Sequence, residues 1–109
     1  MRLRDIAHAR TGDKGDTSNI SVIAYRARDW PLIERTMTAE RVARHFGIER
    51  ADAVSRYALP QLHALNFVLR GFLTGGVTRS LAIDAHGKCL GATLLDIEME
   101  AGGESLPRP

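Results

Sequence analysis

The chain has 109 residues, of which 44% are hydrophobic and 26% charged, and this composition is typical of one soluble globular domain. Its single cysteine, Cys89, excludes an intrachain disulfide and a thiolate metal cluster within one chain, and no apolar run approaches the roughly 20 residues that cross a bilayer. The net charge of +2 results from 15 basic and 13 acidic residues that are scattered along the chain, so no basic patch is indicated. Only six residues are aromatic, so the sequence does not indicate aromatic side chains that would stack on the bases of a nucleic acid either.

The first part of the chain predicts two strands joined by a polar loop. It begins with charged residues rather than with the apolar stretch of a signal peptide, so we expect a cytoplasmic location. Residues 3–9 are predicted to form the first strand and residues 20–25 the second. Apolar side chains fall on both faces of the second strand, which is typical of a strand inside a sheet and covered on both sides. Residues 10–17, between the strands, are predicted to form the loop.

Two helical elements are predicted after the second strand. Asp29 is placed to cap a short turn, with Pro31 near its start, where the missing N–H of proline costs nothing. Thr38 is the predicted N-cap of the next helix, and Gly47 supplies the left-handed residue that ends it. The apolar side chains between them recur at helical spacing and form one stripe, which comprises Ala39, Val42, Ala43 and Phe46. This stripe is expected to pack on the core.

The second half of the chain carries less regular patterns. Residues 52–59 are predicted to form a strand that stops near Pro60. Residues 62–73 fit a helix, which is the preferred interpretation, but a buried strand fits the same short apolar run. Alternation of apolar and polar residues then predicts a closing hairpin, with a turn at 84–87 and a partner strand over residues 88–99.

Together these elements predict an α+β fold, a single sheet with one or two helices packed on it. No internal repeat and no linker interrupts the pattern, so residues 3–100 are expected to form one domain. Residues 101–109 show no periodicity and are expected to be a flexible tail.

The polar loop is the first candidate binding site. Arg10 and Lys14 can hold a phosphate or a carboxylate, while backbone N–H groups around Gly12 and Gly15 complete an anion cradle. The polar residues that would shape the loop are Asp13, Asp16 and Asn19. These three side chains equally suit Asx-turns that satisfy the backbone of the loop itself, which would leave it without a ligand. The spacing matches neither a Walker A loop nor an EF-hand.

Two further patches offer side chains for a site. His63 and Asn66 lie three residues apart, so on a helix they would share a face and point together into a cleft. Arg79, in a glycine-containing segment over residues 74–80, offers a second group for an anion. Each patch also has a purely structural interpretation. His63 would then be a hydrogen-bonded histidine within an apolar stretch, and residues 74–80 would be a helix C-cap followed by an arginine on the surface. No grouping has metal-ligand spacing and no serine lies in a nucleophile motif, so we expect no metal, no cofactor and no catalytic triad.

Five motifs occur in order along the chain: A-R-T-G-D-K-G-D-T-S-N-I (9–20), T-A-E-R-V (38–42), L-P-Q-L-H-A-L-N-F (59–67), G-G-V-T-R-S-L (75–81) and L-L-D-I-E-M (94–99). In these motifs and their order, the sequence resembles the small C-terminal domain of AtuA-like proteins, a family named for acyclic terpene utilisation. The resemblance covers most of residues 3–99 and implies a ferredoxin-like fold. In AtuA-like proteins this domain is fused behind a larger α/β domain, so the resemblance implies a stand-alone copy of the small domain.

The resemblance further implies an accessory subunit that docks on an AtuA-like large chain. In that role the polar loop would contribute to a site for an acyl-CoA or a carboxylate in branched acyl or terpenoid catabolism. The side chains expected to serve this site are Arg10, Asp13, Lys14, Gly15, Asp16, Asn19, His63, Asn66 and Arg79. No catalytic residues are implied. The alternative is a self-sufficient small-molecule-binding protein or small enzyme, with sites between the protomers of a homo-oligomer.

Overall fold

The computed structural model describes residues 1–14, 17–70 and 90–99, and the elements named below lie in these ranges. The strands are β1 (Ala7–Lys14), β2 (Thr17–Ala24), β3 (Val54–Leu59) and β4 (Ala64–Leu69). The α-helices are α1 (Trp30–Thr36), α2 (Ala39–His45) and α3 (Leu90–Leu94). None of these helices is long and apolar enough to span a membrane. The predicted turn at 84–87 and the predicted tail at 101–109 lie outside the described residues.

The strands form one antiparallel sheet in the order β1-β2-β4-β3. β1 and β2 form a hairpin, after which the chain passes through α1 and α2 and returns to the sheet at β3. β4 then lies between β2 and β3 and pairs with both. This arrangement confirms the predicted α+β class, the single sheet with helices packed on it and the interior position of the second strand.

The core lies between one face of this sheet and the helices. Its fully buried side chains come from the central strands, from all three helices or their ends, and from the N-terminal segment, and include Ile20, Val22, Leu65, Phe67, Ile33, Met37, Val42, Leu94 and Leu3. α3 packs on the same face, because the Gly91 backbone N–H donates to Thr11 Oγ1 over 2.7 Å and Thr11 lies opposite Ile20 in the β1–β2 register. The opposite face of the sheet carries none of the three helices and is called the outer face below.

β2 buries only one of its faces. Ile20 and Val22 are fully buried, whereas Asn19 is exposed and Ile23 is half-buried. The prediction that this strand is covered on both sides was therefore wrong, since α1, α2 and α3 all pack on the Ile20 side. Antiparallel sheets commonly keep one face on the core and leave the other open.

The boundaries of α2 confirm the predictions made from its capping residues. Thr38 Oγ1 accepts a hydrogen bond from the Arg41 backbone N–H over 3.1 Å, which satisfies one of the free donors in the first turn of α2. Gly47 follows α2 with φ of 71°, a left-handed conformation that glycine adopts without steric cost. Pro31 lies in the first turn of α1, as predicted, but the capping role predicted for Asp29 was wrong, because its side chain makes no capping hydrogen bond.

The segment after Pro60 forms a strand where a helix was preferred. β4 buries every second side chain along its central part, namely Leu65, Phe67 and Leu69. The helical interpretation of residues 62–73 was therefore wrong over the part that the structure describes, residues 62–70. The physical reason is that β4 pairs along both edges, and the backbone hydrogen bonds and side-chain packing of two neighbouring strands outweigh a short helical spacing of leucines.

The last described segment also differs from its prediction. Residues 90–94 form α3 and not the first half of a strand, because this segment packs across β1 and β2 instead of continuing a sheet edge. Residues 95–99 do not form the second half of that strand either, since they make a turn and a bend with one isolated bridge between Glu98 and Arg2. The predicted alternation is confirmed over residues 96–99, where Ile97 and Met99 are buried while Asp96 and Glu98 are exposed, but Leu95 is only half-buried.

The two ends of the described chain lie side by side. The Leu3 backbone N–H donates to the Ile97 carbonyl and the Arg4 N–H to the Leu95 carbonyl, each over 3.0 Å. Arg4 also forms an ion pair with Asp96. The last segment thus pairs with N-terminal residues that the sequence pattern predicts to be part of the first strand.

Candidate functional site

The predicted polar loop is largely a β-hairpin. Leu3–Asp5 form a 3-10 turn, and β1 begins at Ala7 and continues to Lys14, so both the start of the first strand and its predicted end were wrong. The register pairs Lys14 with Thr17, which leaves only positions 15 and 16 between the strands. A cradle built on special backbone angles at Gly12 is also wrong, because Gly12 lies in the ladder opposite Asn19 and does not have a positive φ.

Four polar residues lie in one line across the outer face. Arg10 of β1 pairs with Ser21 of β2, Ser21 pairs with Asn66 of β4, and Asn66 pairs with Tyr57 of β3. Residues directly opposite each other in a ladder point to the same face of the sheet, so these four side chains form a row, called the polar row below. With about 4.8 Å between neighbouring strands, the row extends about 14 Å across the sheet.

The polar row offers several hydrogen-bond donors to one bound group. Arg10 is exposed and makes no hydrogen bond or ion pair with any other residue in the described part of the chain, so its guanidinium is available to an anion. The Asn66 side chain is half-buried, and its Oδ1 is fully buried with no hydrogen-bond partner among the described residues. Such an acceptor costs about 1–3 kcal/mol when it stays unpaired, which favours a hydrogen-bond donor at this position.

Two neighbouring positions extend the polar row along the sheet. Asn19 is exposed and lies opposite Gly12, two residues along the strands from the polar row and nearer to the Lys14–Thr17 pair. His8 lies two residues from Arg10 along β1, on the side away from the Lys14–Thr17 pair. Its ring stacks on Tyr25, with the two ring centroids 5.2 Å apart. Its Nδ1 is buried and, like Asn66 Oδ1, has no partner in the part that the structure describes. Arg10, Asn19 and Asn66 are therefore brought to one face, as a shared site requires.

One end of the sheet carries exposed apolar side chains. Tyr57 and Leu59 lie on the outer face of β3, Leu62 lies in the turn between β3 and β4, and Tyr25 follows the end of β2 and stacks on His8. These four residues, called the apolar patch below, are the exposed large hydrophobic side chains at this end, with Leu62 at 65% and Tyr25 at 60% exposure.

His63 lies apart from the hairpin. It has a left-handed backbone (φ 52°) in the turn before β4, and its carbonyl accepts a hydrogen bond from the Ala24 N–H over 2.9 Å. β2 runs from Thr17 beside the hairpin end to Ala24, about 23 Å at 3.3 Å per residue. The predicted helical pairing of His63 with Asn66 was wrong, because His63 lies in a turn and its ring faces Trp30 at a centroid distance of 6.3 Å.

The remaining predicted site residues fall outside what the structure describes. These are Gly15, Asp16 and Arg79, together with the side chains of Asp13 and Lys14. Within the described ranges, no three His, Cys, Asp or Glu residues are grouped as ligands of a metal ion.

Sequence reasoning missed Ser21, Tyr57 and His8. His8 could have been found from its two-residue spacing to Arg10, which puts both on one face of a strand. Ser21 and Tyr57 join the row only through the register between strands, in which the paired residues Ser21 and Asn66 are 45 positions apart in the sequence, and no local pattern encodes that register.

Comparison with known proteins places the fold in a family. The family model of the AtuA ferredoxin-like domain matches residues 1–100, which include all the described strands and helices. No curated protein and no solved structure matches the chain. The five sequence motifs indicate the same domain. The chain belongs to the AtuA ferredoxin-like domain family.

Proposed function

We propose that this chain is an accessory subunit that docks on a larger AtuA-like chain through the outer face of its sheet. The observation that carries the proposal is the make-up of this face, on which the apolar patch adjoins the polar row and none of α1–α3 packs. Membership of the AtuA ferredoxin-like family supports an AtuA-like chain as the partner. In this arrangement the partner covers the patch, and the polar row faces a site shared by the two chains.

The apolar patch has the chemistry of a docking surface. Two tyrosines and two leucines stand exposed at one end of a sheet whose other face forms the core. Tyrosine is enriched among the residues that dominate binding energy at protein interfaces, because it adds a large contact area and a polar tip. Exposed apolar groups that cluster in this way commonly mark an interaction site.

The polar row suits an anionic ligand that the partner encloses. Arg10 supplies a planar, permanently charged fork for a carboxylate, and Ser21, Asn66 and Tyr57 supply neutral groups beside it. Asn19 and, at the end of β1, Lys14 are proposed to extend the anion site towards the hairpin. The substrate class proposed is therefore an acyl-CoA or a carboxylate, the class that the family resemblance also implies.

The docking step is tested by titrating the chain into a purified AtuA-like large chain from the same organism in a calorimeter. We expect saturable binding, which Tyr57→Ala and Leu62→Ala each weaken about tenfold or more, the loss typical of a central contact residue. Arg35→Ala is the matched control, since Arg35 is exposed on the helical side of the molecule. Absence of binding, or equal affinity of all four proteins, would overturn the docking proposal.

The ligand step is tested separately in the assembled complex. Arg10→Ala should weaken binding of a CoA thioester about tenfold while assembly with the large chain stays unchanged, and Arg35→Ala should leave both unchanged. Unchanged ligand affinity in Arg10→Ala would remove the polar row from the site without affecting the docking result. Equally tight ligand binding by the isolated chain would instead support the self-sufficient alternative.

A further inference from the structure

A shallow pocket of about 140 Å³ opens on the helical side of the molecule, away from the outer face. It is lined by Arg41, Arg44 and His45 of α2 and by Ile97 from the segment after α3. The three basic residues lie at positions i, i+3 and i+4, so they share one face of the helix. Ile97 is 6% exposed and forms the apolar floor. The pocket is thus a basic rim around a small apolar surface.

Two of the three basic groups are held in place by backbone carbonyls. Arg41 Nη2 donates to the carbonyl of Glu98, and His45 Nε2 lies 3.0 Å from the carbonyl of Thr93. A guanidinium has five N–H donors, so Arg41 keeps donors for another acceptor. Arg44 is exposed and makes no hydrogen bond or ion pair with the residues that the structure describes.

The two carboxylates beside Ile97 in the sequence have partners elsewhere. Asp96 and Glu98 flank Ile97, and neither is among the described residues that line the pocket. Asp96 forms an ion pair with Arg4, and Glu98 lies 2.8 Å from the Met1 nitrogen. The positive charge of the rim therefore has no carboxylate partner among the described residues that line the pocket.

We propose that this pocket binds a phosphate group, either inorganic phosphate or the terminal phosphomonoester of a larger ligand. Arginine pairs with phosphate through two parallel hydrogen bonds, so Arg41 and Arg44 can each offer donors to its oxygens. His45, whose Nε2 lies against the Thr93 carbonyl, has a second N–H to donate only in its charged form. Since a water molecule occupies about 30 Å³ of the liquid, the pocket has room for a phosphate with one or two waters. The site is separate from the polar row and does not depend on docking through the outer face.

The test is an NMR titration of the full chain with sodium phosphate, at constant ionic strength maintained with sodium chloride. We expect saturable shifts of the backbone amides over residues 41–45 and 93–97. Arg44→Ala should weaken phosphate binding about fivefold, the loss expected for one exposed charge-assisted contact, and Arg44→Glu should abolish it. Arg35→Ala, which removes an exposed arginine of α1, should bind like the unchanged protein.

Parallel titrations with inorganic phosphate, glycerol phosphate and propionate distinguish the free phosphate ion from a phosphomonoester and from other anions. Glycerol phosphate binding as tightly as inorganic phosphate supports a phosphomonoester ligand, and tighter binding of inorganic phosphate supports the free ion. Propionate binding with equal affinity would overturn the assignment of phosphate. Shifts that do not saturate, or that Arg44→Glu leaves unchanged while its circular dichroism shows an intact fold, would overturn the site itself.

Discussion

At the scale of single residues, close packing decides where α3 lies. Gly91 packs so closely on β1 that a Cβ at this position would lie 2.7 Å from Thr11 Oγ1 and 3.1 Å from the Ala9 Cβ. The same approach lets the Gly91 N–H donate to Thr11 Oγ1. Absence of a side chain at position 91 thus allows both a hydrogen bond and the contact between helix and sheet.

We expect Gly91→Ala to lower the free energy of unfolding by about 1–2 kcal/mol, because overpacking of about 1–3 kcal/mol outweighs the gain of about 1 kcal/mol in helix propensity. Gly12→Ala is the control. A Cβ at Gly12 would lie 3.5 Å from Asn19 Oδ1, an ordinary contact, so this variant should lose nothing and gain up to about 1 kcal/mol. Urea unfolding midpoints of the two variants provide the comparison, and equal effects would contradict the packing argument.

At the scale of elements, β3 is tied to the end of α1 by one side chain. Arg56 Nε donates to the Met37 carbonyl over 2.8 Å, and its Nη2 donates to the Glu34 carbonyl over 2.5 Å. The last carbonyls of a helix have no partner within the helix, and a cation at this end also suits the helix dipole. Arg56 therefore joins the sheet to the helical layer through groups that the helix itself leaves unpaired.

Arg56→Met, which keeps the length of the side chain but removes its donors, should lower the free energy of unfolding by about 1–2 kcal/mol, since two carbonyls lose their partners. Arg35→Met is the matched control in the last turn of α1, where no described hydrogen bond is lost, and it should change stability by less than about 0.5 kcal/mol. Thermal and urea unfolding of both variants measure the difference. A loss in Arg35→Met as large as that in Arg56→Met would show that the carbonyl contacts contribute nothing.

Strand β4 shows where local patterns mislead at this scale. Leu62, Leu65 and Leu69 have helical spacing, yet Leu65 and Leu69 alternate with half-exposed residues in the sheet. A run this short fits both the helical period and the strand period, so the contacts with the neighbouring strands determine which conformation forms. β2 and β3 supply partners along the length of β4, and a helix there would leave the facing backbone groups of both unpaired.

At the scale of the whole molecule, the N-terminal segment completes the core. Leu3 is fully buried in the same cluster as the side chains of β2 and β4, and its backbone pairs with Ile97. Residues more than 90 positions apart in the sequence therefore close the helical side of the domain. The outer face has no such cover from α1–α3, and this asymmetry makes it the docking surface in our proposal.

The same substitution at two leucines tests this asymmetry. Leu3→Ala should lower the free energy of unfolding by about 2–5 kcal/mol, since it opens a cavity in the core, whereas Leu62→Ala should cost less than about 0.5 kcal/mol. Chemical denaturation of both variants measures these losses. A large loss in Leu62→Ala would mean that the apolar patch stabilises the chain itself, and it would remove this residue as a probe of docking.

The sequence by itself determined the features whose causes are local. Thr38 and Gly47 set the ends of α2, the apolar stripe set its buried face, and the five motifs identified the domain family. Alternation of apolar and polar residues correctly predicted which side chains of residues 96–99 are buried. These features depend on contacts within a few residues along the chain, so they can be predicted from short segments of the sequence.

Only the tertiary structure decided the features that depend on partners distant in sequence. Three such features are the strand conformation of β4, the helical conformation of α3 and the pairing of the two chain ends. Each arises from contacts with residues that a local sequence pattern does not identify. The polar row is the clearest case: Arg10, Ser21, Asn66 and Tyr57 come from four strands, and a shift of one residue in any pairing would move a member to the other face. The physical reason is that strand register is set by the packing of the whole sheet, whereas helix caps are set by the chain beside them.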